Sequence, residues 1–274
     1  MENAKKFYSR RSWNSGMSRP AAKGWCPSAL RPMKSGDGLL VRIKPNFGQL
    51  NSKQLLVLAD CLDDFGNGLL DITSRTNLQI RGVKEQNYSN LILKLQAEGL
   101  LGKSEKLDRL NVIVPPFIRK NSLTWRCASQ VYSSVENLPL LPEKFGFCID
   151  CEESRYLTNQ SGDIFIERSS GSGLVLRCAG LKKAFSTDEN NLMGDVKKII
   201  GWYLEKQNSK ETERPMRMRD VVSKNKFPWK TRNELKKPLL EEITVGSYQG
   251  YFVLAAPFGQ LKSEHLRNLA AVNQ

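Results

Sequence analysis

The run Asp71-Ile-Thr-Ser-Arg-Thr-Asn-Leu-Gln-Ile-Arg-Gly82 gathers the side chains of this sequence best suited to chemistry. Arg75 falls in a polar Ser-Arg-Thr turn between two apolar strand-like stretches, 69–73 and 77–83. A guanidinium there projects from a rigid frame, stays charged, and can hold a carboxylate through a planar two-pronged contact. Along the second stretch Asn77, Gln79 and Arg81 alternate with Leu78, Ile80 and Val83, which makes one face polar and the other apolar. Two readings stand side by side: an anion-binding sheet face, or an ordinary half-exposed sheet edge.

Other chemistry-bearing residues are sparse. Cys148 and Cys151 are the only close pair of thiols, and in a strand a separation of three sends their side chains to opposite faces, so no metal site is expected. The sole histidine, His265, sits at a polar helix position and reads as a surface residue. Cys26 has no histidine partner to activate it, so no catalytic residue is assigned.

The elements that must position Arg75 follow a regular order. An apolar run at 39–43 is closed by Pro45 and Gly48, and Ser52 is the expected N-cap of a helix carrying Leu55, Leu56, Leu58, Ala59 and Leu62 up to Gly66. The two strands around Arg75 come next, then an amphipathic stretch, 88–97, with Leu91, Ile92 and Leu95 on one face. This β-α-β-β-α order predicts an α+β fold with helices on one side of an antiparallel sheet. Beyond Gly102 short strands are expected at 111–114, 144–149, 163–167 and 174–178, and a helix at 196–204.

The sequence also repeats itself. Residues 38–61 align with 250–272 once Asn46 is skipped, with 11 identities in 23 pairs and an intact Phe-Gly-Gln-Leu in each copy, Phe47–Leu50 and Phe258–Leu261. The offset of 258 − 47 = 211 residues is far longer than a solenoid period and indicates a duplicated half-protein. The expected division is a basic disordered tail at 1–23, a β-α-β-β-α half-domain at 24–101, an α/β domain at 102–205, a basic linker at 206–241 and an incomplete second half-domain at 242–274. The last segment is expected to pair with the first sheet or to stay disordered.

Forty-two Lys and Arg against 28 Asp and Glu leave a net charge of +14, which points to anionic partners. Nucleic acid and a small polycarboxylate ligand both satisfy it, and the stretch 214–237, with nine basic residues against Asp220 and Glu234, contributes much of the excess. No apolar run is long enough to span a membrane. Six cysteines scattered through a long chain favour free thiols and a cytoplasmic location.

Two longer stretches carry a resemblance. Gly24-Trp-Cys-Pro-Ser-Ala-Leu-Arg-Pro-Met-Lys-Ser-Gly-Asp-Gly-Leu-Leu-Val-Arg42, followed by the run from Gly66 to Val83, is similar to the opening half-domain of the sirohaem nitrite and sulfite reductase superfamily. Within that superfamily the Cys26-Pro27 opening, the Gly36-Asp-Gly-Leu-Leu-Val-Arg42 strand and Leu141-Pro-Glu-Lys-Phe-Gly-Phe-Cys-Ile-Asp150 look most like the precorrin-3B synthase family of aerobic cobalamin biosynthesis. The resemblance implies two ferredoxin-like halves around a tetrapyrrole. It also implies an oxidoreductase reaction in which precorrin-3A is hydroxylated by oxygen and closed to a lactone, assisted by a four-iron cluster and non-haem iron.

By that resemblance Arg75 and Lys144 face the tetrapyrrole. Arg31, Arg42, Arg81 and Arg109 join them as cations able to offset the desolvation and repulsion of ring carboxylates. Gly146 stands where sulfite and nitrite reductases carry a second lysine, and Leu110 where they carry an arginine, so reduction of those small anions is disfavoured. The family's Cys-x5-Cys and Cys-x3-Cys cluster ligands are absent from this sequence. The resemblance therefore reads as the N-terminal portion of such an enzyme, incomplete and inactive alone, with a complementary chain as the implied partner. A non-catalytic tetrapyrrole- or partner-binding half-protein, a sulfite or nitrite reductase-like protein and a nucleic-acid binder remain the alternatives.

Overall fold

A computed structural model describes residues 26–171, 173–208, 215–231, 235–236, 243–248 and 250–272. The expected tail at 1–23, 209–214, 232–234 and 237–241 of the expected linker, and residue 242 of the expected second half-domain lie outside the described residues.

The first unit runs β1 (Met33–Ser35), β2 (Gly38–Ile43), α1 (Ser52–Phe65), β3 (Leu69–Ile72), β4 (Leu78–Val83) and α2 (Tyr88–Ala97). The period-two burial of β2 and β4 sends Val41, Ile43, Leu78 and Ile80 inward and leaves Arg42, Gln79 and Arg81 on the other face. Leu58, Leu62, Leu91 and Leu95, at helical spacing on α1 and α2, close over the inward face. Helix α1 is capped one residue earlier than expected: the Asn51 side chain accepts from the Gln54 N–H at 2.8 Å, and Gln54 Oε1 accepts from the Asn51 N–H at 3.2 Å. This reciprocal box makes Ser52 the first helical residue. Leu56 stays exposed, because only Leu55, Leu58, Ala59 and Leu62 share the buried stripe with Cys61. Asn77, expected on the polar face, lies just before β4 and is buried, with its backbone closing the Arg75 turn against Thr73.

The second unit contains α3 (Glu105–Arg109), β5 (Val112–Ile113), α4 (Leu123–Ser134), β6 (Phe147–Asp150), β7 (Ile164–Arg168), β8 (Leu174–Cys178), β9 (Phe185–Thr187), α5 (Leu192–Asn208) and α6 (Met218–Lys224). Its sheet has the order β5-β6-β7-β8-β9, parallel in the first two pairings and antiparallel in the last two. Phe147, Ile149, Ile164 and Ile166 face a large core shared with α4 and α5. Cys148 points the other way, into a small cluster with Ile113, Leu157 and Phe165, while Cys151 belongs to the large core.

The basic segment at 206–241 is a correction. Its residues Met218 and Val221 are fully buried in the large core, and Met216, Val222, Phe227 and Trp229 pack against it. Arg217 donates to Asp163 at 2.7 and 3.1 Å. Basic composition concealed apolar anchors spaced along the stretch.

The chain then forms a hairpin, β10 (Gly246–Tyr248) with β11 (Tyr251–Val253), and ends in β12 (Gln260–Lys262) and α7 (Ser263–Val272). Strand β12 pairs antiparallel with β3, Leu261 opposite Leu70, so the first sheet reads β1-β2-β4-β3-β12. Helix α7 lies on α1, burying Leu266 and Ala270, and Arg267 binds Asp60 and Asp63, both at 2.9 Å. Among the described residues, strand β11, the repeat's counterpart of β2, pairs with β10 and does not enter that sheet.

Candidate functional site

Two residues of one strand edge begin the site. Arg42 and Lys44 are two apart at the end of β2, so both side chains leave on the same side of the chain. They enter a cavity of about 360 Å³ whose other walls include Cys26, Arg31, Asp108, Arg109 and Glu143. The loop 26–31 is pinned between the two units: the Cys26 N–H donates to Glu143 Oε2 at 2.6 Å, the Ala29 N–H to Asp108 Oδ1 at 3.3 Å, and the Tyr88 hydroxyl to the Ala29 carbonyl at 2.8 Å. Helix α3 brings Asp108 and Arg109, with the Ser104 hydroxyl as its N-cap.

The charges in this cavity do not balance. Arg31 is paired with Glu143 at 2.8 Å and Arg109 with Glu105 at 2.7 Å. Arg42 and Lys44 form no salt bridge among the described residues, and the Nε of Arg42 is buried without a hydrogen-bond partner. Burial is the main influence holding the Arg42 guanidinium below its usual range; contact with the Cys26 thiol opposes it, and nearby Arg75 adds to it. Burial also lowers Lys44 to about 8, partly countered by Asp108 and reinforced by Arg42. Asp108 is the one lining carboxylate outside those pairs, so two cations in a partly desolvated cavity face a single counter-charge, which leaves a demand for a further anion.

A bound carboxylate would pull the Lys44 ammonium back up, so binding takes up a proton where Lys44 is otherwise deprotonating. Affinity for a carboxylate ligand is therefore expected to fall as pH rises from 7.5 to 9.5, by about tenfold. Calorimetric titration in buffers of different ionisation enthalpy should show fractional proton uptake near pH 8, abolished in Lys44→Met. For the unliganded chain the sign reverses. Because the folded value lies below the ordinary 10.5, the native state releases its proton first, and this group makes the fold more stable as pH rises from 8 to 10.5.

Arg75 occupies the turn read from the sequence. Thr73 Oγ1 accepts from the N–H groups of Arg75 and Asn77, at 3.4 and 3.1 Å, and Thr76 takes a positive φ of 55°. The turn is thereby fixed, and the guanidinium reaches the Ser161 hydroxyl at 3.5 Å. Arg31, Arg42 and Arg109 meet in the cavity. Arg81 does not line it: Asp37 at 3.3 Å, Asp71 at 3.2 Å and Ser35 take up its donors, which ties the β1–β2 hairpin to β3. Lys144 is exposed and outside the cavity wall; its neighbour Glu143 lies there instead. The structure thus brings neither of these two residues into the wall of that cavity.

Lys44 was missed in the sequence, although the repeat held a signal. Arg42 and Lys44 align with Leu254 and Ala256, so the copy bearing this cavity carries two cations that the other copy lacks.

The described residues contain no group of three or more His, Cys, Asp or Glu placed to hold a metal ion. Cys61, Cys127, Cys148, Cys151 and Cys178 are all buried, distributed among three separate apolar clusters. These residues do not fit a four-iron cluster or a non-haem iron.

Residues 31–98 coincide with the first unit and match the family model described as the nitrite/sulfite reductase ferredoxin-like half domain. This chain contains that half domain. A stretch of 69 residues is 44% identical to the precorrin-3B synthase of a Sinorhizobium species, covering 25% of this chain and 15% of that protein. Another of 90 residues is 32% identical to the ferredoxin–nitrite reductase of Leptolyngbya laminosa, covering 32% of this chain and 18% of that protein. The matched stretches thus span less than a fifth of these relatives' lengths. Beyond the half domain, the likeness is one of fold. The NirA protein of Mycobacterium tuberculosis superposes with a TM-score of 0.53 and 13% sequence identity, over 85% of this chain and 50% of that one. No helix among the described residues is long and apolar enough to cross a membrane.

Proposed function

We propose that this chain supplies the anion-gripping half domain of a precorrin-3B synthase-like oxidoreductase, with precorrin-3A as the ligand. The observation that carries the reading is the pair of cations without a salt bridge, Arg42 and Lys44, facing the single free carboxylate of Asp108 in a cavity bordered by the half domain. A cavity of about 360 Å³ is too small for a macrocycle but takes ring acetate or propionate groups at one edge. Arg75, close enough to Arg42 to disfavour its charge, extends the grip along the same edge. The 44% identity to a precorrin-3B synthase supports this ligand over the smaller anion of the nitrite reductase relative. In such an enzyme the reaction is oxygen-dependent hydroxylation and lactone formation; the part played by these residues is to bind and orient the carboxylates. The absence of a fitting cluster site among the described residues favours, as a second reading, binding without turnover by this chain alone.

Uroporphyrin, a stable tetrapyrrole with acetate and propionate side chains, is a direct probe. The chain is expected to bind it with micromolar affinity, and Arg75→Ala to weaken binding about tenfold through loss of one charged hydrogen-bonding group. Failure to bind, or an Arg75→Ala variant that binds as well as the parent, would overturn the reading. Duplex DNA should bind far more weakly at 0.15 M salt, since Arg217 of the basic stretch is already paired with Asp163.

A further inference from the structure

Asn77 is only 5% exposed, and it takes part in the fold through its backbone. Its N–H donates to Thr73 Oγ1 at 3.1 Å, and its carbonyl accepts from the Thr73 N–H at 2.9 Å. The side-chain amide makes no hydrogen bond to the described residues. An amide taken out of water without a partner is costly, because its oxygen and its N–H groups lose hydration and gain nothing in return. Such a group marks a place where something else is meant to bind.

Asn77 lines a second cavity, of about 220 Å³, at the seam between the two units. Ile43 and Leu78 are the last registered pair of β2 and β4, so Lys44 and Asn77, one residue further along, share the polar side of that sheet. The facing wall comes from the segment that leads into the second unit, where Leu101, Leu107, Leu110 and Val112 present apolar surface. Asp108 stands in the same wall, its Oδ1 accepting from the Ala29 N–H at 3.3 Å. Lys44 and Asp108 border both this cavity and the anion cavity of Arg42, while Lys103 lines only this one and is exposed.

We infer that Asn77 is the recognition group of a second binding site, which takes a neutral primary carboxamide or lactam carried on a compact apolar ring. The leucine and valine wall calls for an apolar body, and a cavity of this volume has room for a single substituted ring. The head group must both donate and accept, since the Asn77 amide offers both, and an amide edge meets it in a two-point contact. Charge sorts the two cavities. Asp108 repels a further carboxylate on the Asn77 side of Lys44, whereas Arg42 attracts one on the other side. The inference goes beyond the tetrapyrrole reading and stands apart from it, because it uses Asn77 and the apolar wall and not Arg42 or Arg75.

Benzamide and benzoate, alike in ring and different in head group, are the probes. Each is titrated into the full chain carrying isotope-labelled asparagine, and the side-chain amide resonances of Asn77, identified by their loss in Asn77→Asp, are followed by NMR. Benzamide is expected to shift them saturably in the millimolar range, and benzoate to need about tenfold more. Leu101→Phe narrows the cavity from the wall facing Asn77 and leaves the turn at Thr73 untouched, so it should weaken benzamide about tenfold with the Asn77 resonances still present. The absence of a saturable shift would mean that water alone satisfies Asn77. Benzoate binding as tightly would make the cavity an anion subsite, and benzamide affinity unchanged in Leu101→Phe would put the ligand elsewhere; each of the three overturns the inference. Failure of uroporphyrin to bind bears only on the Arg42 cavity.

Discussion

Arg42→Met is expected to weaken uroporphyrin binding about a hundredfold while leaving the unliganded chain more stable, by about 1 kcal/mol. The two effects share one cause. Arg42 sits on the polar side of β2, opposite Gln79, with its Nε buried and unbonded and its charge disfavoured chiefly by burial. In the free chain that arrangement is a cost; methionine, of similar length, fills the space without a charge to desolvate. With a carboxylate present the same guanidinium finds a partner in a site screened from water, where a charged hydrogen bond is strongest. Equilibrium titration and denaturant unfolding of the same preparation check both signs. A variant that loses stability and binding together would mean that Arg42 is a structural residue. One that keeps binding would remove it from the site.

Asp163→Ala is expected to cost about 3–5 kcal/mol of stability, the largest single effect in the second unit. The carboxylate is 1% exposed and gathers four donors from two parts of the chain: the Gly146 N–H before β6, and the Met218 N–H opening α6 together with two nitrogens of Arg217. Arg217 precedes α6 with no side-chain cap of its own, so Asp163, just before β7, serves as that helix's cap from a distant part of the chain. Alanine leaves the two N–H groups unsatisfied and Arg217 without its counter-charge. Asp163→Asn keeps one acceptor and should lose less. The double variant with Arg217→Met should recover part of the loss, because the guanidinium that would have been stranded is gone. Urea unfolding of the three variants separates these contributions; a loss below about 1 kcal/mol for Asp163→Ala would show that water replaces the carboxylate at little cost.

The first unit was readable because each of its elements is patterned by one dominant requirement. Leu91 and Leu95 repeat at helical spacing, and residues 78–83 alternate, since one face of each element must leave water. Helix α4 escaped for the opposite reason. Its buried stripe is Thr124, Cys127, Ala128 and Val131, small residues that allow close packing but contribute little hydrophobic contrast. In the basic stretch, the contrast of Met218 and Val221 was masked by Arg217, Arg219 and Lys224 around them. Asn51 displaced Ser52 as the α1 cap because the box also requires a partner at the third helical residue, and Gln54 stands three after Asn51.

Arg75 could be placed in its turn from sequence because a turn between two strands is a local object, set by its own Thr73 and Thr76. The standing of the other arginines was not local. Arg31, Arg42, Arg81 and Arg109 are equivalent as letters; they differ in which carboxylates lie within reach, and those come from residues up to 112 positions away. Arg81 meets Asp37 and Asp71 and is neutralised, whereas Arg42 meets a thiol and a second guanidinium and is not. Element order, the half-domain pattern and the repeat were written in the chain because they depend on the hydrophobicity and backbone preference of neighbouring residues. Which cations stay unpaired depends on distances between segments far apart in sequence, and folding alone sets those.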